Sequence, residues 1–126
     1  MQQEGKQLVD AIVNAIQDKK GKNIVIADMK KIEDPVCQYL VICQGNTRPQ
    51  VEAIAKNIGD QVRETTQEKP FAVSGENNAQ WIAMDYGNVM VHVFLPETRN
   101  FYDLEHLWED AEMTNIPDAE DEDTTF

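Results

Sequence analysis

The chain is poor in the residues on which most enzymes and membrane proteins depend. It holds one serine, two histidines and two cysteines. Ser74 lies in Val73-Ser74-Gly75, without the glycines of a nucleophile elbow. The possible metal ligands Cys37, Cys43, His92 and His106 form neither a C-x-x-C nor an H-x-x-x-H pattern, so no metal and no catalytic residue is expected. Cys43 and His92 could meet on neighbouring strands as nucleophile and base, but nothing in their spacing specifies it. Cys37 and Cys43 stand too far apart on one extended strand to bridge, and both are expected reduced. Long apolar runs are missing too. The longest, Val89 to Leu95, is interrupted by His92 and falls far short of the roughly 20 residues a bilayer span needs. The N-terminus, MQQEGKQLVD, shows no basic segment followed by an apolar one, and a cytoplasmic protein without membrane contact is expected.

Positive charge is scarce as well. Lysine and arginine number 11 against 23 acids, a net charge of −12. Residues 1–96 carry 12 acids and 10 bases, whereas residues 97–126 carry 11 acids and only Arg99. Extensive direct RNA binding calls for the opposite balance, a basic surface that releases counterions. A basic protein partner is compatible, because acidic charge speeds such an encounter. Plain solubility is the blander explanation of the acidity.

What is present suits a single folded domain. A chain of 126 residues, 41% apolar, can bury one sizeable core. Leu8, Ile12, Ala15 and Ile16 follow helical spacing, ending at Lys19, Lys20 and Gly21. Asn23–Ala27 and Gln38–Cys43 read as buried strands. Thr47-Arg-Pro-Gln50 is a capping box that opens a second helix, whose apolar stripe is Val51, Ile54, Ala55, Ile58 and Val62 and which fades near Thr66. A short strand at Phe71–Val73 is followed by Gln80–Met84 and Val89–Leu95 around Asp85-Tyr86-Gly87-Asn88, a hairpin signal. The second arm is apolar on both faces, as a covered central strand would be. Phe101, Leu104, Leu107, Trp108 and Ala111 predict a third helix. Residues 1–113 are therefore read as an α/β (α+β) domain with a mixed central sheet of about five strands and helices packed on it. Residues 114–126, with five acids in the six positions from Asp118 to Asp123, are read as an acidic disordered tail.

Gln44-Gly45-Asn46-Thr47 joins a strand to a helix start, where an anion could bind. One glycine is not a phosphate loop, and no carboxylate pair for metal lies near it. The alternative of a nucleotide-binding enzyme, with Asp28 and Asp85 holding a metal, is carried forward on these terms.

Both tryptophans and several other aromatics fall between Trp81 and Trp108. Phe94, Leu104 and Trp108 fit the apolar stripes and are assigned to the core. For Trp81, Tyr86, Arg99 and Tyr102, core and surface stay open, since these residue types serve both cores and binding hot spots. Ser74 to Trp108 resembles the signature of the ribosomal silencing factor (Iojap-like) family. That signature is a Trp, then Asp-Tyr-Gly, then Val-His and a hydrophobic strand, then Arg-x-Phe-Tyr-x-Leu-Glu-x-Leu-Trp. Here these are Trp81; Asp85, Tyr86, Gly87; Val91, His92, Val93, Phe94; and Arg99, Phe101, Tyr102, Leu104, Glu105, Leu107, Trp108. Leu40 to Thr47 and Gln50 to Ala55 are similar to the family's strand, turn and helix. The chain departs from the family at Gln38, Gln44, Thr47 and Ser74.

The resemblance implies a fold related to minimal nucleotidyltransferases without their catalytic carboxylates, and no cofactor. It implies binding to the large ribosomal subunit through its fourteenth protein, on the subunit-joining face, and blockage of the small subunit. The residues expected to meet the partner are Trp81, Asp85, Tyr86, His92, Arg99, Phe101 and Tyr102. A homodimer off the ribosome could use the same aromatics.

Overall fold

Helix α1 (Gln2–Asp18) forms because Leu8, Ile12, Ala15 and Ile16 share one face, and that face is buried. The computed structural model describes residues 2–32, 35 and 37–118. The chain reverses at Lys20, whose φ is 62°, and enters strand β1 (Lys22–Asp28). Strand β2 (Tyr39–Gln44) runs antiparallel to β1 and leads into helix α2 (Arg48–Thr66). Thr47 caps α2 as its motif requires: its Oγ1 accepts the Gln50 N–H at 3.2 Å. Gln50 reaches back to accept the Asn46 N–H at 2.7 Å, and its amide also donates to the carbonyls of Lys19 and Lys20. The start of α2 is thereby fastened to the end of α1.

Strands β3 (Ala72–Ser74), β4 (Trp81–Asp85) and β5 (Val89–Phe94) follow, with the expected β4–β5 hairpin. The sheet order is β3-β4-β5-β2-β1-β6, mixed because β2 and β5 are parallel. The central strand β5 is covered on both faces. In front, α1 and α2 pack on Val41, Cys43, Val89, Val91 and Val93. Behind, a smaller cluster joins Ala27, Leu40, Ile42 and Phe94 to Leu104 and Trp108. Both described cysteines are free thiols, and burial pushes the Cys43 thiol up to about 12.

The C-terminal third corrects the sequence reading in two places. The expected third helix is broken: α3 (Pro96–Tyr102) ends at Asp103, whose φ is 50°, and only a single turn, α4 (Leu104–Leu107), follows. Ala111 is buried but lies outside any helix. The sheet has six strands rather than about five, because β6 (Glu112–Ile116) pairs antiparallel with β1. Residues 114–116, expected in the tail, thus belong to the fold. The pattern that would reveal β6 is missing because it offers one apolar residue to each face. Met113 packs on the rear cluster and Ile116 on the front one. The rest of the expected tail, residues 119–126, lies outside the described residues.

Candidate functional site

One rung across the sheet organises the site. Lys22 pairs with Gln44, Gln44 with Phe94, and Phe94 with Trp81. On the rear face at this end, the Trp81 and Phe94 rings stack with centroids 5.0 Å apart. Two residues along β5 from Phe94, His92 points to the same face. Its Nδ1 accepts the Trp81 Nε1–H at 2.8 Å, which places the imidazole proton on Nε2. His92 is 8% exposed, and burial pushes its pKa down to about 4. It is a neutral acceptor that orients an indole.

Helix α3 brings the remaining aromatics to this shelf. Tyr102 lies against Trp81 at 4.6 Å between centroids, and Phe101 meets Tyr102 edge-on at 5.1 Å. Phe101 is 81% and Tyr102 51% exposed. Leu107, expected in an apolar stripe, is 66% exposed, because the break at Asp103 turns α4 out of phase with α3. Glu97, Asp103, Glu109 and Asp110 are exposed on the same segment. The arrangement is an exposed aromatic surface on a segment that also carries exposed acids.

Arg99 holds α3 in place from beneath. Its Nη1 donates to the Asn23 carbonyl at 2.7 Å and to Gln44 Oε1 at 3.1 Å. Its Nε and Nη2 donate to the Glu105 carboxylate at 3.3 and 2.6 Å. The Asn23 carbonyl is available because β1 carries a register irregularity there, with Asn23 at a φ of 50°. At 7% exposure, Arg99 is a structural pin that faces inward.

Trp81, His92, Phe101 and Tyr102 therefore come together, with Arg99 underneath. Asp85 and Tyr86 do not join them: they sit at the other end of β4, about 14 Å along the strand at its usual rise. Asp85 Oδ1 accepts the Gly87 N–H at 2.8 Å and shapes the hairpin turn. Tyr86 is buried in the front core, which pushes its phenol up to about 12, and its hydroxyl finds no partner among the described residues. Its alternation along the hairpin turns it away from Trp81. The sequence offered no signal for Phe71, 80% exposed beside Gly87.

The enzyme constellations come apart in the same geometry. Cys43 belongs to the front core, whereas the His92 ring lies 6.0 Å from Phe94 on the rear face. Asp28 and Asp85 lie at the sheet end opposite Gln44–Thr47, with β2 and β5 between their strands. The Asn46 and Gln50 N–H groups at the α2 start already have side-chain acceptors. Among the described residues no three of His, Cys, Asp and Glu converge as a metal site, and no helix is long and apolar enough to cross a membrane.

Known proteins are similar to this chain in sequence and fold. A family model described as "Ribosomal silencing factor during starvation" matches residues 2–125. The ribosomal silencing factor of Bacillus subtilis (strain 168) is 38% identical over 112 residues, which span 88% of this chain and 92% of that protein. A Mus musculus protein named "Mitochondrial assembly of ribosomal large subunit protein 1" is 24% identical over 102 residues, 79% of this chain and 44% of that one. The crystal structure of a Chromobacterium violaceum protein matches with a TM-score of 0.78 and 28% identity, covering 90% of this chain and 94% of that one. With a family model matched from α1 through β6 and a bacterial relative aligned over nearly its whole length, the chain belongs to the ribosomal silencing factor family.

Proposed function

We propose that this protein binds the large ribosomal subunit and keeps the small subunit away by its bulk. Family membership and the mouse relative's name support the large subunit as partner. The finer reading is that it docks on the fourteenth large-subunit protein, at the joining face. The observation that carries the site is the exposed pair Phe101 and Tyr102, braced on Trp81 and His92. Large aromatics on a rigid base bury much area at little entropic cost, and the acids around them complement a basic protein. An interface of about 800 Å² suffices for specific binding, roughly a tenth of the 7543 Å² surface. The remaining body, with a radius of gyration of about 14 Å for this length, is ample to obstruct a subunit interface. No catalytic step is required.

Sedimentation of the protein with isolated large and small subunits tests the proposal. Co-migration with large subunits alone, and loss of joined ribosomes, is expected. Tyr102→Ala should weaken that binding by about thirtyfold or more, the size of a hot-spot loss, with little change in melting temperature. Undiminished binding by the folded variant removes Tyr102 from the interface. Off the ribosome a second copy could cover the same aromatics, and solution mass measured against concentration tests that.

A further inference from the structure

The outer strands of the sheet are β3 and β6. Beside β3, on the front face, α2 leaves an apolar groove of about 510 Å³. Ala55 and Gly59 of α2 form one wall, and Pro70, Val73, Ile82 and Met84 form the other. Gly59 keeps the groove open, because the position has no side chain and the Met84 methyl sits 3.8 Å from where a Cβ would stand. Phe71, 80% exposed, projects just before β3 begins. An apolar groove beside an outer strand is a place where folded chains associate.

Charge on this edge is sorted by end. Helix α2 ends at Thr66 and β3 begins at Ala72, so the end of α2 lies beside the start of β3. The start of α2 lies beside the end of β3, and Glu52 and Glu76 both border the groove there. Arg63 stands about three helical turns from Glu52 on the same helix face, and Lys69 precedes β3 at the same end as Arg63. All four are exposed, and none has an ion-pair partner among the described residues. The other charges nearby are engaged or face elsewhere. Lys56, midway, pairs with Asp60 at 3.2 Å. Glu64 is turned about 100° around the helix from Arg63, away from β3. Glu68 is half-buried, and its charge acts on the Tyr86 phenol. The edge therefore has acids at one end, bases at the other and an apolar groove between them.

A partner surface of one sign matches only half of such an edge. A second copy matches all of it, because a twofold axis through the middle sets each acidic end on the basic end of the other copy. We infer that this edge is a self-association surface, where two copies meet with β3 antiparallel beside β3 and α2 antiparallel beside α2. Glu52 of each copy faces Arg63 of the other, Glu76 faces Lys69, and Phe71 comes against the other copy's groove. Phe101 and Tyr102 lie on the rear face and stay free, so the inference is independent of the docking proposed above. The edge is short, which puts the association in the weak, concentration-dependent class.

Sedimentation velocity of the full chain from about 1 µM to about 0.5 mM tests it, a range that spans weak interfaces. The wild type should pass from monomer to dimer. Glu52→Arg and Arg63→Glu, each checked for folding by circular dichroism, should weaken dimerisation by about tenfold or more, since each turns two attractive pairs into repulsive ones. The double variant restores both pairs with their signs exchanged and should recover the dimer. An equimolar mixture of the two single variants should recover it as well, because each chain supplies the charge that the other has lost. Tyr102→Ala should dimerise like the wild type. A wild type that stays monomeric throughout overturns the inference. So does a dimer that survives both single reversals, or one that Tyr102→Ala abolishes. Single variants that lose the dimer while neither the double variant nor the mixture recovers it also overturn it, since the charges then act by something other than pairing across the axis.

Discussion

Replacing His92 by glutamine separates its protonation from its hydrogen bond. Glutamine keeps an oxygen that can accept the Trp81 indole N–H, but it does not titrate. The imidazole has a pKa of about 4 in the fold, against an ordinary value of 6.5. Between these values the unfolded chain binds more protons than the native one, so stability falls as pH falls. The stability is fully present above about 6.5 and is lost progressively toward 4. From pH 7.5 to 4.5 the loss comes to about 2.5 kcal/mol, since each pH unit crossed between the two values costs about 1.4 kcal/mol. At 8% exposure His92 is shielded enough for most of that figure to hold. For a chain of this length it corresponds to about 10 °C in melting temperature. Thermal unfolding followed by circular dichroism, for wild type and His92→Gln at both pH values, measures it. Carboxylates titrate alike in both chains, so the wild type should lose about 10 °C more than the variant. Equal losses would refute the burial argument for His92 and the account of Trp81 as an indole held by a neutral imidazole.

Two further substitutions probe the frame around the site. Arg99→Met should cost about 3 kcal/mol in urea unfolding, because it strands the Glu105 carboxylate and the Asn23 carbonyl together. A loss below about 1 kcal/mol would show that α3 is held by other contacts. Gly75→Ala should cost more than about 1 kcal/mol, since Gly75 has a φ of 88° and an added Cβ would run into the Trp81 carbonyl oxygen. A neutral result in the same assay would mean that the loop before β4 rearranges freely.

The regular elements were legible where local chemistry acts alone. The α2 start was readable because Thr47, Pro49 and Gln50 satisfy the first-turn donors whatever the rest of the chain does. The β4–β5 hairpin was readable from its turn residues, and the covering of β5 from its apolar residues on both faces. The ribosomal family was legible from Trp81 to Trp108, where the order of aromatic and charged residues is long and specific.

Tertiary structure decided which of those residues face outward. Trp81 and Tyr102 carry the same chemical ambiguity as Tyr86 and Arg99, yet the first pair meets solvent and the second is buried. Strand alternation sends Tyr86 forward under α2 and Trp81 backward under α3. The inward turn of Arg99 depends on an irregularity in β1, 76 residues earlier in the chain. Leu107 was exposed by a helix break at Asp103, and β6 was made a strand by pairing with β1 rather than by its own pattern. Caps, turns and periodicity are set by neighbours in sequence, so the chain itself determined α1, α2, the β4–β5 hairpin and the family. Burial of an aromatic or a charge is set by what packs against it from elsewhere, so only the assembled sheet determined the site.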